Sequence, residues 1–306
     1  MSGTRALQNH ADLLAAKLQP AIASLKRHRA RLRVAMLVLA FAIFVGGAAL
    51  SINRLALKPS DIVLAPLALL ALGVVPAAIA YSSINMMLMG KAVGAPIGFV
   101  EGMRISVLAQ VAELLPIPGG AIVRSAALMN RGAGTLRSTG VVLAFALLWI
   151  SVAAVGGGLA LLDTGIASQT LLVAGLVGSI GIYAWLANRF GWRIALPALG
   201  LRLLGIALVS VRTVLAFAAI GLALGWSDSL AFVFGIILGS AASIVPAGLG
   251  IGEGISALLA APLAVAPEAA FLAVGLARLG GFVGNMIGLA IFAWLIPAQE
   301  GEAAHG

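Results

Sequence analysis

The chain has 306 residues, of which 62% are hydrophobic and only 9% are charged, and its mean hydropathy is +1.13. Soluble domains carry about 25% charged residues, so a soluble protein is excluded, and the continuous rather than alternating apolar runs exclude a membrane β-barrel. The chain has no cysteine, which excludes disulfides and thiolate metal sites.

The net charge of +9 is concentrated at the N-terminus, where seven of the 19 Lys and Arg residues precede residue 34. They alternate with an apolar stripe at helical spacing: Leu7, Leu14, Leu18, Ile22 and Leu25. This pattern predicts a cytoplasmic basic amphipathic helix over residues 1–33 that lies on an anionic leaflet, and it disfavours a nucleic-acid partner. A plain basic flank that orients the first membrane span is the open alternative.

Six apolar runs are long enough to cross a bilayer, which takes about 20 residues. They lie at 34–52, 62–88, 138–162, 169–187, 203–225 and 268–296. Two further apolar regions, 98–130 and 230–262, are interrupted by proline and glycine and leave pieces that are mostly too short to span. We therefore expect a single all-α transmembrane bundle over residues 34–298, followed by a short C-terminal tail at 299–306.

Charge asymmetry predicts how the chain is threaded, because cytoplasmic loops are rich in Lys and Arg. If the N-terminus is cytoplasmic and region 98–130 enters and returns as a hairpin, the later basic residues lie inside: Lys91, Arg131, Arg137, Arg189, Arg193 and Arg202. Arg54 and Lys58 lie outside, against the rule. Region 230–262 then enters from the outer face. The sequence thus predicts two opposed re-entrant hairpins in an inverted repeat, with eight or more conventional spans as the alternative.

The two interrupted regions share a plan. "ELLPIPGGAIVRS" (113–125) and "SIVPAGLGIGEGIS" (243–256) each place an apolar run before proline and close glycines, followed by Arg124 or Glu253. Proline breaks a helix and glycine permits a tight reversal, and the freed backbone groups must be buried in protein or line a wet cavity. Paired breaks of this kind indicate the substrate site of a transporter near the midplane. Two surface helix–turn–helix connections are the alternative.

These two segments resemble the signatures of the lysylphosphatidylglycerol synthase transmembrane-region family, the flippase-like domain. The first is similar to its Pro-Gly-Gly…Arg…Leu…Arg-Gly motif, and the second to its Pro-x-Gly-x-Gly-x-x-Glu motif with a late intramembrane Arg. The resemblance covers about residues 60–296 and implies movement of lipids across the plasma membrane. The chain lacks the aminoacyltransferase domain of two-domain members, so an aminoacyl-lipid substrate does not follow from the resemblance.

Ionisable residues within spans indicate function, because they are costly in hydrocarbon. Arg212 and Arg278 fall in two spans, and with Arg124 they could converge on a cavity that holds a phosphate, with a nearby glutamate as counter-charge. Structural pairs or snorkelling side chains are the alternative. Glu101 and Arg104, three apart, are expected to form a local pair. The candidate substrate-binding residues are Arg124, Glu253, Glu113, Arg212, Arg278, Gly119, Gly120, Gly248 and Gly250.

An enzyme is disfavoured because the residues that it would need are missing from the spans. All three histidines lie near the termini: His10, His28 and His305. Neither a buried histidine base nor a zinc ligand is therefore expected, and the aspartates lie outside the spans or at their ends. No metal and no cofactor are expected.

The sequence as a whole predicts a multi-pass protein of the bacterial plasma membrane with a cytoplasmic N-terminus. We expect a transporter or flippase for an anionic, phosphate-bearing envelope lipid, because three intramembrane arginines face only two glutamates and a phosphate would neutralise the excess. A homo-oligomer is left open. The alternative is an accessory or structural subunit of an envelope-lipid synthesis pathway (glycolipid, aminoacyl-lipid or hopanoid), which would need no charged cavity.

Overall fold

A computed structural model describes residue 35 and residues 38–113, 118–241 and 248–295. This described part is helical and contains no strand. Its helices are α1 Val38–Arg54, α2 Leu64–Val93, α3 Phe99–Ala112, α4 Gly119–Asn130, α5 Thr135–Ala160, α6 Ile166–Phe190, α7 Trp192–Ala219, α8 Trp226–Ala241, α9 Ile251–Ala260 and α10 Pro267–Leu295. Three single turns of 3-10 helix connect them, at Pro59–Asp61, Leu162–Thr164 and Ala261–Leu263.

Five of these helices, α2, α5, α6, α7 and α10, are long and apolar enough to cross a membrane. The prediction of a multi-pass helical membrane protein is thereby confirmed. The predicted amphipathic helix at 1–33 and the tail at 299–306 lie outside the described residues, as does the start of the first predicted span. The orientation of the bundle and the inverted repeat stay predictions.

The position of the predicted span 203–225 is wrong. The helix in that region, α7, begins at Trp192, directly after Gly191, whose φ of +85° breaks the chain away from α6. It continues through Pro197 and ends at Ala219. Arg202, which we expected at the cytoplasmic edge of the membrane, therefore lies ten residues inside a helix, about 15 Å from its start.

The first broken region forms an antiparallel helical hairpin of α3 and α4, here called the first hairpin. At its break, a Cβ on Gly119 would lie 2.0 Å from the carbonyl oxygen of Ala112. At its open end, Arg131 Nε donates to Glu101 Oε1 at 3.0 Å. The expected local pair of Glu101 with Arg104 is thus wrong, because the Glu101 carboxylate binds across the hairpin.

The second broken region forms a matching antiparallel hairpin of α8 and α9, the second hairpin. Gly239 packs on Gly252, where an added Cβ would meet the Gly252 Cα at 2.5 Å, and Gly235 packs on Ser256 further from the break. The four helices of the two hairpins have 10 to 16 residues. At 1.5 Å per residue they span about 15–24 Å, short of a hydrocarbon core of about 30 Å.

Small residues bring the long helices α5 and α6 into close antiparallel contact. A Cβ on Gly158 would lie 2.6 Å from the backbone nitrogen of Leu172, and one on Gly175 would lie 2.7 Å from that of Val155. Glycine at such contacts lets membrane helices pack backbone to backbone. The outer face of α6 exposes apolar side chains such as Val177 and Ile180, as expected for a helix that faces lipid.

Candidate functional site

A cavity of about 540 Å³ lies between the two hairpins and is also lined by α2, α5 and α7. The break of the first hairpin reaches it through Glu113, Pro118 and Gly120. The end of α8, just before the second break, reaches it through Ser240 and Ala241. The first break and the end of the helix that precedes the second break therefore border one cavity.

Arg124 and Glu113 form an ion pair at this cavity. Arg124 Nη2 lies 3.3 Å from Glu113 Oε1, and both side chains remain partly accessible. Gly120 permits the arrangement, because a Cβ there would lie 2.4 Å from the same carboxylate oxygen. Gly119 has a purely structural position, since any side chain on it would collide with the end of α3. Of the two glycines predicted at the first break, Gly120 lines the cavity and Gly119 does not.

Arg202 is a cavity residue that the sequence reasoning did not select. Its side chain is only 6% exposed, and its Nη2 donates to Asn85 Oδ1 on α2. The guanidinium carbon lies 5.3 Å from the ring centroid of Phe145 and 5.4 Å from that of Trp149, both on α5. Aromatic faces attract a cation at these distances. The apolar sequence on both sides of Arg202 was the signal that this residue lies within a helix. Charge asymmetry instead predicted a position at the cytoplasmic edge of the membrane.

Arg212 lines the cavity from the same helix, ten residues further along α7. Its Nη1 lies against α10, where a Cβ on Gly281 would come within 3.2 Å of it. Arg212 therefore lies between the cavity and the last helix.

Arg278 and Glu253 form a second, separate ion pair that does not line the cavity. Arg278 Nη1 donates to Glu253 Oε2 at 3.1 Å and to the carbonyl oxygen of Gly248 at 2.6 Å. The same Glu253 oxygen accepts a hydrogen bond from the backbone N–H of Gly250 at 2.8 Å. The pair therefore joins α10 to the second break. The structure thus brings Arg124, Arg212 and Glu113 to one cavity but places Arg278 and Glu253 beside it.

Gly248 and Gly250 shape the second break. Both have positive φ, +67° and +80°, which strains any residue other than glycine. A Cβ on Gly248 would also lie 2.2 Å from the carbonyl oxygen of Gly239. The two glycines hold the backbone in the conformation that presents its carbonyl and N–H groups to Arg278 and Glu253.

The charge of the cavity is strongly positive. Of the described residues that line it, the charged ones are Arg124, Arg202, Arg212 and Glu113, which give three positive charges against one negative. Uncompensated cations in a low-dielectric site favour a bound anion. The arrangement can therefore hold an anionic group such as a phosphate.

Comparison with known proteins adds no family to this description. No protein-family model matches the chain, and no curated protein matches it. The chemical character of the cavity is therefore the basis for assigning a function.

Proposed function

We propose that the protein is a lipid transporter or flippase, not an enzyme, that moves an anionic, phosphate-bearing envelope lipid across the bacterial plasma membrane. The observation that carries the proposal is the cavity between the two broken hairpins, where the described part of the wall has three arginines, Arg124, Arg202 and Arg212, and one carboxylate, Glu113. Transporters commonly bind substrate between paired broken helices, because the breaks free polar backbone and permit rearrangement. The resemblance of both breaks to the flippase-like family supports the same function.

The surroundings of the cavity favour a substrate that is itself a lipid. Leu143 and Leu147, one turn apart on α5, both line the cavity and are 51% and 52% exposed. They lie near the middle of α5 rather than at its ends. An opening between apolar side chains at that position would admit acyl chains from the bilayer while the head group reaches the arginines.

In the proposed orientation the N-terminus is cytoplasmic, the first hairpin is re-entrant from the cytoplasmic face and the second from the outer face, as an inverted repeat. Their short helices support this, since a helix of 10 to 16 residues leaves the break within the bilayer rather than beyond it. Opposed breaks that meet at one cavity would give alternating access if one hairpin moved relative to the other.

The test is a transport assay on the purified protein in phosphatidylcholine vesicles. Fluorescently labelled phosphatidylglycerol in the outer leaflet is reduced by dithionite, and the protected fraction reports movement across the bilayer. We expect movement with the wild-type chain and a loss of about tenfold or more in Arg124→Gln, because charge-assisted hydrogen bonds are worth about 1.5–3 kcal/mol. The matched control is Arg137→Gln, an exposed arginine at the start of α5.

Two outcomes would oppose the proposal. If the labelled lipid moves as slowly in vesicles with the protein as in vesicles without it, the alternative is favoured, an accessory subunit of an envelope-lipid synthesis pathway. Equal losses in Arg124→Gln and Arg137→Gln would show that the cavity charge does not act in transport. Both variants must elute as single species from size-exclusion chromatography, so that a folding defect is distinguished from a transport defect.

A further inference from the structure

The cavity has more positive charge than a phosphodiester would neutralise. Its described charged residues sum to +2, since three guanidiniums face one carboxylate. The Arg278–Glu253 pair lies outside the cavity and neutralises itself. A phosphodiester head group such as that of phosphatidylglycerol would leave one positive charge in excess. A terminal phosphate, with a charge of about −1.5 to −2 at neutral pH, would match the cavity.

Buried donors without a protein partner point to the same ligand. In the part of the chain that the structure describes, buried polar atoms without a hydrogen bond occur away from the cavity, at Ser179, Ser210, Glu253 and Arg278, and also at Tyr81 Oη, Arg202 Nε and Arg212 Nε. The last three are donors. All three residues line the cavity. Buried donors left unpaired cost free energy. A terminal phosphate presents three acceptor oxygens, whereas a phosphodiester has two that are free of ester bonds.

Mutual repulsion of the guanidiniums adds to the preference for two negative charges. Arg124, Arg202 and Arg212 line one cavity, so their like charges repel each other there. Glu113 binds Arg124 alone, and no acidic side chain bonds to Arg202 or Arg212 among the described residues. A dianion between Arg202 and Arg124 would offset repulsion that a monoanion offsets only in part.

We propose that the substrate of this cavity is a lipid with a terminal phosphate that carries two negative charges, a phosphate monoester or a diphosphate, bound in preference to a phosphodiester lipid. This inference rests on the proposed function and specifies the substrate class. Free phosphate compounds share the head-group chemistry, but the exposed apolar side chains of Leu143 and Leu147 at the cavity favour a ligand with acyl chains.

The test compares ligands that differ in one feature. The thermal stability and binding affinity of the detergent-solubilised protein are measured with phosphatidic acid, phosphatidylglycerol and diacylglycerol of identical acyl chains, and with glycerol 3-phosphate. At about pH 8 we expect phosphatidic acid to bind about tenfold or more tightly than phosphatidylglycerol, as one or two additional charge-assisted hydrogen bonds allow. Diacylglycerol and glycerol 3-phosphate should bind more weakly than either phospholipid.

The pH dependence identifies the second negative charge. The second pKa of a phosphate monoester lies near about 6, so the preference for phosphatidic acid should decline as the pH falls to about 5, while binding of phosphatidylglycerol changes little. The titratable groups of the cavity are Tyr81 on α2, Glu113 after α3, Arg124 on α4, and Arg202 and Arg212 on α7. In Glu113→Gln the preference for phosphatidic acid should decline over the same pH range, because the group that gains the proton is the phosphate of the ligand.

Variants separate a specific contact from a general loss of charge. Tyr81→Phe removes one unpaired donor without altering charge and should weaken phosphatidic acid more than phosphatidylglycerol. Arg202→Gln should reduce the ratio of the two affinities, whereas Arg137→Gln should leave it unchanged. If Arg202→Gln does not fold, Tyr81→Phe still tests the inference.

The outcomes distinguish this inference from the proposed function. Equal affinities for phosphatidic acid and phosphatidylglycerol at about pH 8 would overturn the terminal-phosphate substrate, while transport of phosphatidylglycerol would still support a lipid transporter. Glycerol 3-phosphate binding as tightly as phosphatidic acid would overturn the lipid source of the phosphate. Equal binding of diacylglycerol and both phospholipids would overturn the inference and the anionic substrate together.

Discussion

Arg278 on the last helix binds Glu253 across the second break, with 3.1 Å between Nη1 and Oε2 and almost no exposure of either side chain. One oxygen of Glu253 accepts both this bond and the N–H of Gly250, while Arg278 also binds the carbonyl oxygen of Gly248. The pair therefore fixes a segment whose backbone has left the helical hydrogen-bonding pattern, and it does so from a helix 25 residues away in sequence.

Removing one partner of this pair should destabilise the protein strongly. Arg278→Met leaves Glu253 as a buried charge without its cation, which costs about 3–5 kcal/mol. The double variant Arg278→Met with Glu253→Gln should recover part of that loss, because no uncompensated charge remains. Both effects are measured by heating the protein in detergent and recording the temperature at which the monodisperse species is lost.

The chain offers a matched control for this experiment. Arg54 lies 3.6 Å from Glu268 at the start of α10, but its side chain is 64% exposed. An exposed ion pair contributes about 0–1 kcal/mol, so Arg54→Met should shift the unfolding temperature little. A large shift in Arg54→Met together with a small one in Arg278→Met would contradict the structural role of the buried pair.

Alanine at Gly248 should prevent formation of the second break. Its φ of +67° is unfavourable for an L-residue by about 1–2 kcal/mol, and the added Cβ would lie 2.2 Å from the Gly239 carbonyl oxygen. We expect Gly248→Ala to lose the folded species on size-exclusion chromatography. Gly254→Ala, in the following helix with open space around its Cβ, is the control and should be neutral or slightly stabilising.

Replacement of Glu113 should increase the affinity for anionic lipid. Glu113 supplies the negative charge among the described residues of the cavity wall and holds Arg124 at 3.3 Å. In Glu113→Gln the net positive charge of the described cavity wall increases by one, and Arg124 is free to bind the head group. We expect about a threefold to tenfold tighter binding of phosphatidylglycerol, equivalent to about 0.7–1.4 kcal/mol. Weaker binding in this variant would show that Glu113 itself contacts the substrate.

Hydropathy predicted the long helices because their apolar sequences are continuous over the length of a bilayer, and proline with glycine predicted where the two hairpins break. Arg202 shows why the same reasoning failed at one helix. Its burial depends on Asn85, 117 residues earlier in the chain, and on the faces of Phe145 and Trp149. Such partners are brought together only by helix packing, so the sequence presented Arg202 as a charge at a membrane boundary.

The division of the candidate charges into two groups was also beyond the sequence. The sequence placed Arg278 within a span, but it did not predict which neighbouring helix the Arg278 face of α10 packs against. The rotation decides that Arg278 faces the second break, while Arg212 on α7 faces both the cavity and Gly281. The sequence therefore left open whether these charges converge on one cavity or form structural pairs, and Arg278 with Glu253 forms a pair beside the cavity.

The opposed arrangement of the two hairpins can be tested by accessibility, because the chain has no cysteine and single cysteines are therefore unambiguous. Gly98 and Arg137 flank the first hairpin, whose open end the Glu101–Arg131 bond closes, so both lie at one end of the bundle. Ser227 and Ala266 flank the second. From Arg137 the chain runs along α5, returns along α6, which packs antiparallel to α5, and returns again along α7. Ser227 therefore lies at the opposite end of the bundle from Arg137.

With a cytoplasmic N-terminus, a membrane-impermeant maleimide on intact cells should label Ser227→Cys and Ala266→Cys but neither Gly98→Cys nor Arg137→Cys. All four should be labelled after the membrane is permeabilised, which is the control for reactivity and expression. Arg189→Cys, at the end of α6, should behave like Arg137→Cys, since cytoplasmic loops carry the excess of Lys and Arg. Labelling of the opposite set in intact cells would reverse the orientation. Labelling of Gly98→Cys without Arg137→Cys would contradict the hairpin, because the chain between them would then cross the membrane.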